Sequence, residues 1–321
     1  MTRRTVQNSH FRFKDTPDQT GRTILITGAN NGLGLHSASA LAAAGARILL
    51  ACRNQQTGQA ALERLGQLSP APTDHRLIPV DLADLASVRS AAEQAIDAAP
   101  RIDVLINNAG VMAIPRSRTV DGFETQVGTN HFGHFVLTDA LLPALLATSA
   151  PRVVTLASIA HRRGRIVLDD FGFERRRYRR MTAYSQSKLA NLLFSAELAR
   201  RSAAAGLPLI SVAAHPGVAA TNLFDSMVPP IPGATALMHA GLRVVGNSER
   251  GGALSQVYAA TMPDVRNGDY LGPTWMFGIR GPVRHSSRTR KARSEELAAA
   301  LWEESVRLTG AHYSPLHAER S

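Results

Sequence analysis

The chain has 321 residues, 44% of them hydrophobic, enough to bury a core as one large domain or two ordinary ones. Its net charge of +11 raises nucleic acid or an anionic surface as a partner, but aromatic residues make up only 5%, too few for base stacking, and lysine occurs only at Lys14, Lys188 and Lys291. A single cysteine, Cys52, excludes an intrachain disulfide and fits a reducing compartment.

Residues 1–20 are polar and charged and read as an N-terminal extension, neither signal peptide nor anchor. No segment reaches the ~18 continuous apolar residues of a spanning helix. A cytoplasmic protein without a membrane anchor is expected. From residue 23, short β-rich runs alternate with Ala- and Leu-rich stretches. Strands are predicted over 23–27, 47–51, 76–80, 102–106, 153–156 and 209–213, with a last short one at 269–271. Helices are predicted over 33–44, 55–68, 83–98, 122–147, 181–205, 252–260 and 294–308. This alternation, with no linker and no repeat, predicts one α/β domain over 21–310: a Rossmann-type, doubly wound parallel sheet with helices on both faces. Residues 311–321 read as a tail. Two segments break the rhythm: an arginine-rich insert at 161–180 and a Pro/Gly-containing stretch at 218–247, long enough to be a substrate lid. Phe224, Met227 and Met238 make that lid apolar, which points to a lipophilic substrate. The insert and a second basic cluster at 280–293 read as solvated charged loops.

The run Thr27-Gly28-Ala29-Asn30-Asn31-Gly32-Leu33-Gly34 follows the first strand and opens the first helix, the context a dinucleotide-binding turn needs. Gly28 permits the sharp turn, Gly32 lets backbone approach a pyrophosphate, and Gly34 permits close helix packing, with the helix N-terminal amides facing phosphate. Arg53 ends the second strand, where an NAD-preferring chain carries Asp or Glu. A guanidinium there can pair with a 2′-phosphate, so NADP(H) is the preferred cofactor and NAD(H) a possible one. Asp81 and Leu82, just past the third strand, are placed to meet an adenine, and Asp81 could equally cap the next helix. Asn107-Asn108-Ala109-Gly110 ends the fourth strand, where small residues let a ribose or nicotinamide come close; a bare turn uses the same residue types.

Asn130 falls inside a predicted helix, an odd place for a short amide that competes with the backbone. Ser158 follows the fifth strand. Tyr184 and Lys188 are four apart on a helix, hence on one face. An ammonium beside a phenol favours the phenolate and makes tyrosine usable as a proton donor near neutral pH. These four are the candidate catalytic residues, and the combination points to hydride transfer. No metal site is expected, because the histidines lack the spacing to carboxylates or cysteines that would suggest one.

The chain resembles the short-chain dehydrogenase/reductase family over 21–310. The family's TGxxxGxG is residues 27–34, its NNAG 107–110, its YxxxK 184–188, and its PGxxxT runs from Pro216-Gly217-Val218 to Thr221. The stretches ACRN at 51–54, NHFGHF at 130–135, YSQSKLAN at 184–191 and HPG at 215–217 resemble the retinol-dehydrogenase-like branch, as does a long gap between serine and tyrosine. The resemblance implies that Tyr184 exchanges a proton with the substrate oxygen and that Lys188 lowers the tyrosine pKa and binds the nicotinamide ribose. It further implies that Ser158 holds the substrate oxygen, that Asn130 supports a water-linked relay to Lys188, and that 216–221 borders the nicotinamide. A small-molecule carbonyl or alcohol substrate and a homo-oligomer, dimer or tetramer, are implied as well. Two departures stand out: Ala157 where many relatives have a second serine, and no N-terminal anchor of the kind membrane-bound retinoid enzymes carry. The alternatives are a protochlorophyllide-reductase-like enzyme, poorly served by one cysteine, and a non-catalytic NADP-binding regulator, which would not need an activated phenol.

Overall fold

The computed structural model describes residues 10–217 and 248–317. Eight strands form one sheet: β1 (Thr23–Thr27), β2 (Arg47–Cys52), β3 (Arg76–Pro79), β4 (Val104–Asn107), β5 (Arg152–Leu156), β6 (Ile210–Ala214), β7 (Tyr270–Trp275) and β8 (Arg280–His285), in the order β3-β2-β1-β4-β5-β6-β7-β8. The first seven pair in parallel and β8 runs antiparallel to β7. The helices are α1 (Gly32–Ala43), α2 (Gln55–Leu68), α3 (Leu85–Ala98), the single turn α4 (Thr125–Val127), α5 (Gly133–Leu146), α6 (Arg180–Ala204), α7 (Glu249–Thr261) and α8 (Glu295–Thr309).

Parallel strands need long crossovers, and the crossover helices cover both faces of the sheet. Ile24 and Ile26 of β1 pack with Leu41 of α1, Leu65 of α2 and Val257 of α7. Leu25, between them, points the other way, into a layer holding Val88 of α3, Leu141 of α5 and Phe194 of α6. Burial on two faces explains why β1 and β2 read as continuous apolar runs rather than as alternating ones. Strand order reverses at β1, between β2 and β4, which opens a crevice at the carboxyl ends of the strands.

Three features depart from the sequence-based expectations. The basic cluster at 280–293 contains a strand, β8. Only Val283 in it is buried, so the edge strand shows none of the alternation that would betray it. The helix expected over 122–147 is interrupted: α4 runs through a π-helical turn, Gly128–Phe132, into α5. The insert keeps most of its arginines exposed, as expected, but is anchored to the fold. Its buried Asp170 accepts backbone N–H bonds from Glu174 (2.6 Å), Arg175 (3.0 Å) and Arg176 (3.0 Å) and pairs with the Arg176 guanidinium at 2.8 Å. Burial pushes that carboxyl up, but these donors outweigh it and hold it well below the usual range. Glu174 ties the insert to Arg116 (3.1 Å) and Arg118 (2.7 Å).

Residues flanking 21–310 also join the core. Phe11 packs on Tyr258, and buried Tyr313 donates from its hydroxyl to the Phe135 carbonyl at 2.7 Å. No helix among the described residues is long and apolar enough to cross a membrane.

Candidate active site

The turn after β1 and the turn after β4 are built as one unit. Thr27 Oγ1 accepts the backbone N–H of Asn108 at 2.9 Å and of Ala109 at 3.0 Å, and Asn108 Nδ2 donates back to the Thr27 carbonyl at 2.7 Å. Gly28 adopts φ +64°. A Cβ on Gly34 would lie 2.2 Å from the Gly28 carbonyl oxygen and 2.6 Å from Asn108 Nδ2, so only glycine lets α1 start this close to the turn. A bare amide cradle at the N-terminus of a twelve-residue helix fits a pyrophosphate. Gly34→Ala is expected to lower dinucleotide affinity by about tenfold or more, read by fluorescence titration; unchanged binding would show that the turn is packing alone.

His134, unremarked in the sequence except as part of a motif, wires this unit to the π turn. Its Nε2 meets Thr27 Oγ1 at 2.9 Å and its Nδ1 meets the Asn130 carbonyl at 3.1 Å. A carbonyl can only accept, so Nδ1 carries the proton and Nε2 accepts from the threonine hydroxyl. Burial keeps the ring neutral, its pKa pushed down to about 4. The signal lay in the spacing: His134 is one helical turn beyond Asn130.

Arg53, 78% exposed, sits with its guanidinium 3.7 Å from Asp81. Asp81 does not cap α3. That role is taken by Asp84, which accepts from the amides of Ala86 and Ser87, while Asp81 closes the preceding turn by accepting from Ala83 at 2.9 Å. Leu82 backs the site through its carbonyl, which would lie 2.5 Å from a Cβ on Gly133. Beside Arg53, Asn54 caps α2 by accepting from Thr57 N–H at 3.0 Å, and Asn30 Nδ2 donates to Thr57 Oγ1 at 2.8 Å. Cys52 is buried, and burial pushes its thiol up to about 11, so it is no nucleophile.

A single cavity of about 1220 Å³ joins these groups to the chemical end. That exceeds the ~300–1,000 Å³ of an ordinary small-molecule site, leaving room for a dinucleotide and a second reactant. Asn30, Asn31, Gly32 and Leu33 line it at one end, with Asn108, Ala109 and Gly110 in the wall and Ser158, Tyr184, Lys188, Pro216 and Gly217 at the other. Val218 and Thr221, and the rest of 218–247, lie outside the described residues.

Ser158 caps a 3-10 turn, Ile159–Arg163: its Oγ accepts from Ala160 N–H at 3.2 Å, and its carbonyl accepts from His161 Nδ1 at 2.7 Å. The Ser158 side chain is near enough to the Tyr184 phenol to favour its ionised form. Lys188 Nζ lies 5.8 Å from the centre of the Tyr184 ring. It donates to the Leu156 carbonyl at 3.1 Å, an acceptor shared with Asn191 Nδ2 at 3.0 Å. Tyr184 and Lys188 are 6% and 5% exposed, and burial governs both. It pushes the ammonium down to about 8 and the phenol up to about 12, the latter against the influence of Ser158. The expectation that Lys188 alone brings the phenol near neutrality therefore does not hold for the protein by itself: the ammonium is bonded to a carbonyl, and desolvation wins.

Asn130 Oδ1 accepts from Val111 N–H at 2.8 Å, and its Nδ2 donates to the Val111 carbonyl and to Ser187 Oγ, both at 2.9 Å. Both amide protons are taken up, so the side chain clamps the turn after β4 to α6. One residue packed behind the cavity wall escaped the sequence altogether. Ala113 has φ +53° and packs with Met112 against Tyr184, its N–H held by Gln126 Oε1 at 2.8 Å. No turn signal marks an alanine in that conformation.

A family model for short chain dehydrogenase matches residues 22–230. Retinol dehydrogenase 14 of Mus musculus is 37% identical over 301 residues, spanning 90% of this chain and 86% of that protein. Retinol dehydrogenase 13 of Homo sapiens is 38% identical over 294 residues, spanning 90% of this chain and 85% of that one. A crystal structure of an uncharacterized protein from Mycobacterium paratuberculosis, 42% identical, matches with a TM-score of 0.78 over 94% of this chain and 98% of its own.

Proposed function

The chain belongs to the short-chain dehydrogenase family, in its retinol-dehydrogenase-like branch, and is an oxidoreductase of carbonyl and alcohol groups; on that premise we propose that it uses NADP(H) on a lipophilic aldehyde or ketone and the matching alcohol, with Tyr184 as the proton donor and acceptor. The observation that carries the reading is that Ser158, Tyr184 and Lys188 line the same cavity as the glycine turn. A nicotinamide bound there would supply or accept the hydride.

The remaining chemistry falls to the chain. Tyr184 gives its phenolic proton to the carbonyl oxygen during reduction and takes it back from the alcohol during oxidation. Ser158 Oγ–H holds the same oxygen and fixes the approach. Lys188 stabilises the phenolate left behind, since it is the ammonium one helical turn away. Asn130, His134 and Thr27 keep the walls in register. The test is to incubate the purified protein with NADPH and a panel of carbonyl compounds and follow the loss of reduced-nicotinamide absorbance. Oxidation that no carbonyl accelerates, with NADH failing too, would sink the reading.

Preference for NADP(H) rests on Arg53, near Asn30 and the first turn of α2; its ion-pair partner among the described residues is Asp81. A phosphate dianion outbids a single carboxylate for a guanidinium, so Arg53 is expected to leave Asp81 for it. Arg53→Asp should lower kcat/KM for NADPH by about 10–100-fold and raise the NADH:NADPH ratio. An unchanged ratio would remove Arg53 from the cofactor site.

A further inference from the structure

The cavity lining includes two arginines, Arg163 and Arg179, that form no ion pair among the described residues. Arg163 closes the turn that begins at Ser158, and Arg179 stands at the entry of α6, five residues before Tyr184. Both line the cavity, as does Arg162. The carboxylates that line it among the described residues, Asp81 and Glu249, are at the nucleotide end, beside Arg53 and Gly32. The acidic residues of the insert are engaged elsewhere: Asp169 with Arg175, Asp170 with Arg176, and Glu174 with Arg116 and Arg118. No ion pair among the described residues includes Arg163 or Arg179. The lining also offers apolar surface, from Met112, Ile159, Ala160 and Met181.

Resting on the oxidoreductase reading above, we propose that the substrate is an amphiphile, an oxo acid or hydroxy acid whose apolar chain lies along these residues and whose carboxylate pairs with Arg163 and Arg179. The planar guanidinium fork matches a carboxylate, and a cleft lined by one sign of charge concentrates anions. Because both arginines are exposed, the pairs contribute modestly and act on capture rather than on the chemical step. The effect therefore belongs in KM and leaves kcat alone.

The experiment compares a chain-length series of ω-oxo carboxylic acids with their methyl esters, using NADPH and the full chain. The acids should show a kcat/KM about tenfold above the esters, through KM, with the advantage shrinking as salt is raised. In an Arg163→Gln/Arg179→Gln double variant the advantage should vanish while ester kinetics stay unchanged. Acid and ester used equally by the unaltered protein, or an advantage that survives in the double variant, overturns the proposal. So does loss of binding to phosphatidylserine vesicles in the double variant with no acid preference in either protein, which would assign the arginines to a membrane surface. Failure to reduce any acid or ester with either nicotinamide sinks the parent reading instead, a result distinct from loss of the acid's advantage.

Discussion

Tyr184→Phe is expected to lower kcat by about 10³-fold and to leave the Kd for NADPH within about twofold. The substitution removes one oxygen from a ring that is 6% exposed and packs on Met112 and Ala113, so the wall keeps its shape and only the donor is lost. The result is not a formality, because pKa matching by itself points elsewhere. The Lys188 ammonium, pushed down to about 8, is a better acid near neutrality than a phenol pushed up to about 12. Geometry decides for the tyrosine: it lines the cavity beside Ser158, whereas the Lys188 ammonium is engaged in donating to the Leu156 carbonyl. Steady-state rates with a reduced carbonyl substrate class, together with an NADPH titration, separate the two. Turnover within about tenfold of the unaltered protein would make Lys188 the proton source and demote Tyr184 to packing. Ser158→Ala serves as the comparison, with a smaller loss expected because it removes a support for the substrate oxygen and not the proton.

The sheet was legible because β1 and β2 bury side chains on both faces, which leaves unbroken apolar runs, and because the glycine turn sits where a strand gives way to a helix. The family resemblance named Asn130, Ser158, Tyr184 and Lys188, but not what each touches. Pairings through space were out of reach: Arg116 meets Glu174 across 58 positions, so the anchoring of the charged insert could not be read from the sequence. β8 was hidden because a single buried valine among arginines leaves no pattern. The π turn was visible only as the oddity of an asparagine in a helix. Desolvation was the term most poorly anticipated. Helical spacing brings an ammonium toward a phenol, but it does not say that both will be taken out of water.

That desolvation makes the second large prediction. Lys188→Met is expected to stabilise the cofactor-free protein near pH 7 by up to about 3 kcal/mol while abolishing turnover. The magnitude follows from an ammonium whose pKa falls from 10.5 in the open chain to about 8 in the fold. Between those values the unfolded chain binds more protons than the native one, so the stability of the unaltered protein rises with pH across that window. Below about pH 8 the full destabilisation is present, and by about pH 10.5 it is gone. Methionine has a similar length and no charge, so its advantage should be largest near neutrality and shrink towards pH 10. The Leu156 carbonyl is not orphaned by the change, because Asn191 Nδ2 still donates to it at 3.0 Å. Tyr184 acts in the opposite sense at higher pH. Its folded pKa is raised from 10.0 to about 12, so the native state holds that proton longer and stability falls across that range, in variant and parent alike. Chemical denaturation at about pH 7 and about pH 9.5 makes the comparison within the useful window. A variant less stable than its parent at the lower pH, or a gap that widens with pH, would show that the ammonium is not buried at a cost. A protein that keeps a destabilising charge where a methionine would pack better has it there for the phenolate next door.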